Sequence, residues 1–170
     1  MMQQTPNIPA GREIEFLTCL DYRHVSGQEI VLLAPLVVDI FGELIIVPPG
    51  FHCDGASIPR FAWRVVGHPF GDYLESAVLH DWIYQTEWFP RPGCDEIFLL
   101  AMRAQEISWW RRNLMARAVK DWGWATWGEH TPASITGNLA LLDSYIMEAS
   151  GPDDWECPLG PEWKSDASGL

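Results

Sequence analysis

The hydrophobic rhythm of the chain changes once, near Pro59. Before that point, from Ile14 to Val47, apolar residues come in short β-branched segments, EIEFLTCL, EIVLLAPLVVDI and ELIIVPPG, separated by Gly27 and by Phe41-Gly42-Glu43. Short β-branched runs bounded by turn residues predict antiparallel strands, with a hairpin near Gly42. After Pro59 the spacing becomes helical, over about 61–66, 72–87, 94–107, 109–122 and 133–149, with the Gly- and Pro-bearing joints GHPFG and FPRPG in between. Strands followed by helices predict an α+β fold, an N-terminal antiparallel β region of hairpins and then a bundle of four to five helices. Residues 1–150 are expected to form one domain, and 151–170, GPDDWECPLGPEWKSDASGL, to form an acidic, loop-like, partly disordered tail. No internal repeat is visible.

Composition narrows the classes. At 170 residues and 48% hydrophobic content the chain can build one real core. The net charge of -12 is uneven, because 143–170 holds seven acidic side chains against Lys164 alone. Such a field repels phosphate backbones, so nucleic-acid binding is not expected; the basic strip Trp109-Trp110-Arg111-Arg112 reads as a helix start with solvated arginines. The N-terminus MMQQTPNIPAGREIEF lacks the basic flank and apolar run of a signal peptide, and the longest greasy run, Ile30 to Phe41, is too short to cross a bilayer. Synthesis in a cytoplasm without secretion is the expectation. Cys19, Cys53, Cys94 and Cys157 are widely spaced, which argues for reduced thiols rather than a zinc knuckle or a disulfide framework. Five of the ten tryptophans (Trp109, Trp110, Trp122, Trp124, Trp127) crowd one region, expected to be a Trp-rich core, with a docking or sugar-stacking surface as the other reading.

The candidate chemistry centres on VLHDWIY, residues 78–84, where an imidazole and a carboxylate interrupt an apolar helix. Each needs a partner, since burying either alone costs several kcal/mol. On a helix over 72–87, Tyr73, Ala77, His80 and Tyr84 share one stripe, while Asp81 points about 100° away. His80 and Asp81 are therefore expected to seek different partners. Asp95, after a connection of about eight residues, can fold back to His80; equally, it can cap its own helix. Upstream, Asp54-Gly55-Ala56-Ser57 forms a polar turn that either holds an ion or an oxyanion, or only bonds its own amides.

VPPGFHCDGASIPRFAW, AVLHDWIY, CDEIFLLAMR and WRRNLMARAVKDWG together resemble the successive motifs of a phage and prophage family known as a domain of unknown function (number 1353), over roughly Ile30 to Gly123. The resemblance implies a phage product from a tail or lysis neighbourhood, made in the host cytoplasm and incorporated into the virion, with other phage structural or assembly proteins as partners. It brings no activity. The H-D-x-x-Y helix followed by a helix bearing Asp is also similar to the phospholipase A2 pattern. That similarity implies His80 as general base, Asp95 as its orienter, Tyr84 as a hydrogen-bonding support and Asp81 as a calcium ligand. Because the glycine-rich loop is reduced here to Gly55, Asp54 would be the second metal ligand. A phosphohydrolase-like set, His68 or His52 with His80, Asp81 and Asp95 or Asp121, is a further metal reading. Nucleophile chemistry at Ser57 or a cysteine has less support. Two roles stand: a virion or assembly component in which the HD motif locks helices, or a hydrolase acting on host-envelope lipid or peptidoglycan.

Overall fold

Six short strands precede the helices among the residues that this computed structural model describes, 14–27, 29–53 and 72–149. They are β1 (Ile14–Phe16), β2 (Tyr22–Ser26), β3 (Glu29–Leu32), β4 (Leu36–Ile40), β5 (Glu43–Val47) and β6 (His52–Cys53). All pairings are antiparallel and fall into two three-stranded sheets, ordered β1-β4-β5 and β2-β3-β6. The hairpin near Gly42 is present. Phe41 and Gly42 hold φ of 60° and 91°, the positive values that let a two-residue loop match the twist of β4 and β5.

Two details depart from the sequence pattern. EIVLLAPLVVDI is two strands rather than one, broken at residues 33–35, where Pro35 has no N–H for a ladder and its carbonyl accepts the Thr18 hydroxyl at 3.0 Å. The strand β2, over YRHVS, is largely exposed and so lacks the apolar alternation that would announce it.

Four helices follow among the described residues: α1 (Leu74–Gln85), α2 (Arg91–Ala104), α3 (Trp109–Trp127) and α4 (Pro132–Ala149). The α+β class expected from the pattern is the fold observed. The helix α2 starts three residues before the expected position because Pro92 falls in its first turn, where a missing N–H costs nothing. The helix α3 runs past the expected end at 122 and through Gly123 to Trp127. Thr131 and Ser134 cap α4 reciprocally, each backbone N–H donating to the other's hydroxyl. The helices α1 and α2 end in the same way: Glu87 and Glu106 take φ of 50° and 57°, and the following N–H groups of Trp88 and Ile107 reach back to Ile83 and Met102. The expected helix over 61–66, the DGASIP turn and the tail lie outside the described residues.

The helix α1 is the centre of the molecule. Nine of its twelve residues are buried, and Val78, Leu79, Trp82 and Ile83 share one cluster with sheet residues such as Ile30, Val38 and Ile45. A helix covered on nearly all sides must find partners for every polar group it carries. In α1 and its cap the buried polar and charged residues are Ser76, His80, Asp81 and Thr86, beside the hydroxyl of Tyr84 and the indole of Trp82.

Candidate functional site

The stripe Tyr73-Ala77-His80-Tyr84 turns towards α2 and α3. Tyr73 and Ala77 pack with Phe98 and Met102 of α2 and with Met115 and Val119 of α3. The His80 ring lies 4.8 Å from that of Phe98 and 5.0 Å from that of Tyr84. Only 2% of the His80 side chain is exposed; its Nε2 is 3.5 Å from Asp95 Oδ1 and its Nδ1 is 3.8 Å from Asp81 Oδ1. At these separations both contacts are ion pairs rather than hydrogen bonds of normal length. The expected meeting of His80 and Asp95 is present. Asp95 does not cap α2, since it sits a full turn inside the helix.

The expectation that His80 and Asp81 seek wholly separate partners needs correction. One Asp81 oxygen turns back to the imidazole, because burial leaves it no water to face. The other accepts the Cys53 thiol at 2.8 Å and so ties α1 to β6.

Beyond Asp95 the contacts continue through Arg91. Its Nη2 lies 3.9 Å from Asp95 Oδ2 and donates to the Lys120 carbonyl at 2.6 Å, while its Nε donates to the Tyr84 hydroxyl oxygen at 3.2 Å. The Tyr84 hydroxyl in turn donates to the Gly123 carbonyl. This explains the uninterrupted α3: a Cβ at position 123 would lie 2.7 Å from the Tyr84 hydroxyl oxygen, so only glycine admits the contact. The Tyr84 hydroxyl thus ties α1 to α2 and α3 through Arg91 and Gly123.

Burial lowers the His80 pKa, but the contacts with Asp81 and Asp95 outweigh it, and the net direction is up from 6.5. The two carboxylates thus favour the protonated ring. A general base needs a free lone pair, and Nε2 is also closed to solvent. Burial raises the Tyr84 hydroxyl, against the opposing pull of Arg91, and pushes the Cys94 thiol up to about 12, which removes Cys94 as a nucleophile.

Of the metal readings, Asp54 and His68 lie outside the described residues, as do Ser57 and Arg60. Asp81 has His80 and Cys53 as neighbours. His52 is on the sheet surface with Glu29, at 2.7 Å, and Asp121 faces Arg117 on the surface of α3, so neither joins His80. Among the described residues no group of three or more His, Cys, Asp or Glu side chains is arranged to hold a metal ion. No described helix is long and apolar enough to cross a membrane.

The expected Trp-rich core does not extend to Trp109 and Trp110, which are 70% and 53% exposed. At the start of α3 they face outward because the inward positions belong to Met115 and Val119. Trp127 does pack, edge-on to Tyr84 at 4.7 Å. Three contributors to the site were not anticipated. Arg91 was legible, being four residues before Asp95 on one helix, whereas Cys53 and Gly123 act through contacts that no local spacing announces.

Comparison with known proteins places this arrangement. No solved structure matches the chain. An uncharacterized protein of Sinorhizobium fredii (strain NBRC 101917 / NGR234), y4jT, is 37% identical over 78 residues, which are 45% of this chain and 23% of that relative. The chain thus matches less than a quarter of the relative's length. The matched family covers residues 30–119, from β3 through most of α3, and so contains His80, Asp81, Asp95 and the helices that hold them. The chain belongs to the family described as "Protein of unknown function (DUF1353)".

Proposed function

We propose that the protein is a phage-encoded virion or tail and assembly component, in which the His80-centred ion pairs lock helices together. The observation that carries the lock is an imidazole closed to solvent between two carboxylates, Asp81 of α1 and Asp95 of α2, whose contacts favour its protonated form. The phage association rests on the resemblance of the motifs alone, and it makes other phage structural or assembly proteins the partners. The alternative, a hydrolase of envelope lipid or peptidoglycan with His80 as base and Asp95 as orienter, is favoured by one fact: Asp95 keeps 13% of its side chain exposed, at the edge of a groove between α2 and α3. The two readings separate on the same variants. For a lock, His80→Gln and Asp95→Asn lower stability strongly and the parent turns over neither phospholipid nor peptidoglycan. Turnover by the parent, lost in both variants while stability is kept, would establish the hydrolase.

A further inference from the structure

The groove between α2 and α3 has a volume of about 960 Å³, at the upper end of the roughly 300–1,000 Å³ typical of small-ligand sites. Its lining combines two features, of which the lock uses only Arg91 and Asp95. One is the exposed pair Trp109 and Trp110, both of which line the groove. Large exposed indoles are costly to leave in water and are enriched where binding energy is concentrated. The other is a balanced set of charges: Arg91, Arg117 and Lys120 against Asp95, Glu96 and Asp121.

The balance decides between occupants. A polyanion needs an excess of positive charge, and within this groove the two signs cancel in a chain whose net charge is already -12. A second copy of the chain needs a face from which charged residues are depleted at the centre, which six charged side chains do not provide. A sugar polymer matches both features. The axial C–H bonds of a pyranose ring make an apolar face that packs on an indole, and its equatorial hydroxyls donate and accept at once. They therefore suit a rim carrying both carboxylates and cations. The groove supplies such groups uncommitted: Glu96 and Lys120 make no ion pair among the described residues, and the exposed Asn113 donates an amide N–H to the Trp109 carbonyl at 2.7 Å.

We infer that the α2/α3 groove is a binding site for a neutral oligosaccharide, with Trp109 and Trp110 as stacking platforms and Glu96, Asn113 and Lys120 as hydroxyl partners. The inference is independent of the lock, since none of these five residues touches His80.

The test is calorimetric titration of the full chain with cellotetraose, chitotetraose and maltotetraose, each to about 10 mM, a range that detects affinities down to the millimolar level. The expected result is saturable binding of at least one. Binding should weaken roughly tenfold or more in Trp109→Ala and in Trp110→Ala, and by a smaller factor in Glu96→Gln. Both tryptophans are exposed, so circular dichroism and urea midpoint should match the parent. Absence of saturable binding for all three sugars would overturn the site. So would sugar binding that persists unchanged in the double tryptophan variant. Tighter binding of polyphosphate than of any sugar, or a concentration-dependent dimer abolished by Trp110→Ala, would assign the groove to a polyanion or to a second copy instead.

Discussion

The sheet surface and the helical interior each hold a histidine facing a carboxylate, and the shorter pair is the weaker. His52 and Glu29 meet at 2.7 Å with 57% and 37% of their side chains exposed, so water competes for both groups. Exposed pairs of this kind contribute about 0.2–1 kcal/mol. His80 and Asp95 are farther apart, at 3.5 Å, but water reaches neither facing atom. Removing one partner there strands a buried charge. The lesson is that the dielectric surroundings, rather than the separation, set what an ion pair is worth.

The sharpest way to break the comparison is to remove the same kind of group on each side. His80→Gln or Asp95→Asn should lower the unfolding free energy by about 3–5 kcal/mol, whereas His52→Gln should change it by less than about 1 kcal/mol. Urea denaturation of the three variants checks both figures. Equal losses would mean that burial does not distinguish the two sites.

A smaller effect tests how the lock is braced. Gly123→Ala puts a Cβ 2.7 Å from the Tyr84 hydroxyl oxygen, and the rigid ring cannot easily retreat, so a loss of about 1–3 kcal/mol is expected. Tyr84→Phe removes that oxygen together with its bonds to Gly123 and Arg91, and should cost about 1–2 kcal/mol. The double variant should lose less than the sum, because the phenylalanine relieves the clash. Strict additivity would show that the two residues do not meet.

The fold class was open to sequence reading because its signals are local. The β-branched runs, the Phe41-Gly42 loop and the 3.6-residue spacing of VLHDWIY each act within a few residues. The His80–Asp95 meeting was legible for a related reason: a short connection, residues 86–90 in the structure, leaves the second helix little choice but to pack beside the first. Cys53 against Asp81 was not legible, since 28 residues separate them and only the docking of β6 on α1 brings them together. Helix limits failed where a residue's usual meaning was overruled. Pro92 serves as a first-turn residue, Gly123 as a point of close approach, and Glu87 and Glu106 end helices in a conformation more often left to glycine. Trp109 and Trp110 show that aromatic density in a sequence does not say which residues face inward.

Calcium provides the smallest expected effect. With Asp81 beside His80 and Cys53, millimolar calcium against chelator should shift the melting temperature by no more than about 1 °C, as binding weaker than millimolar adds only a few tenths of a kcal/mol. A rise of several degrees would make Asp81 a metal ligand.

The pH dependence of stability reaches the imidazole itself. His80 has a folded-state pKa above 6.5, so its contribution is fully present below pH 6.5 and is lost as pH rises through the folded value. Parent stability should fall across that window, and His80→Gln should remove the slope. The most direct measurement is a nitrogen-15 NMR titration of the His80 ring in the full chain. The expected result is a ring whose two nitrogens stay protonated to a pH above the ordinary 6.5. A ring that loses its proton at or below 6.5, leaving a lone pair on Nε2, would contradict the lock and restore His80 as a base.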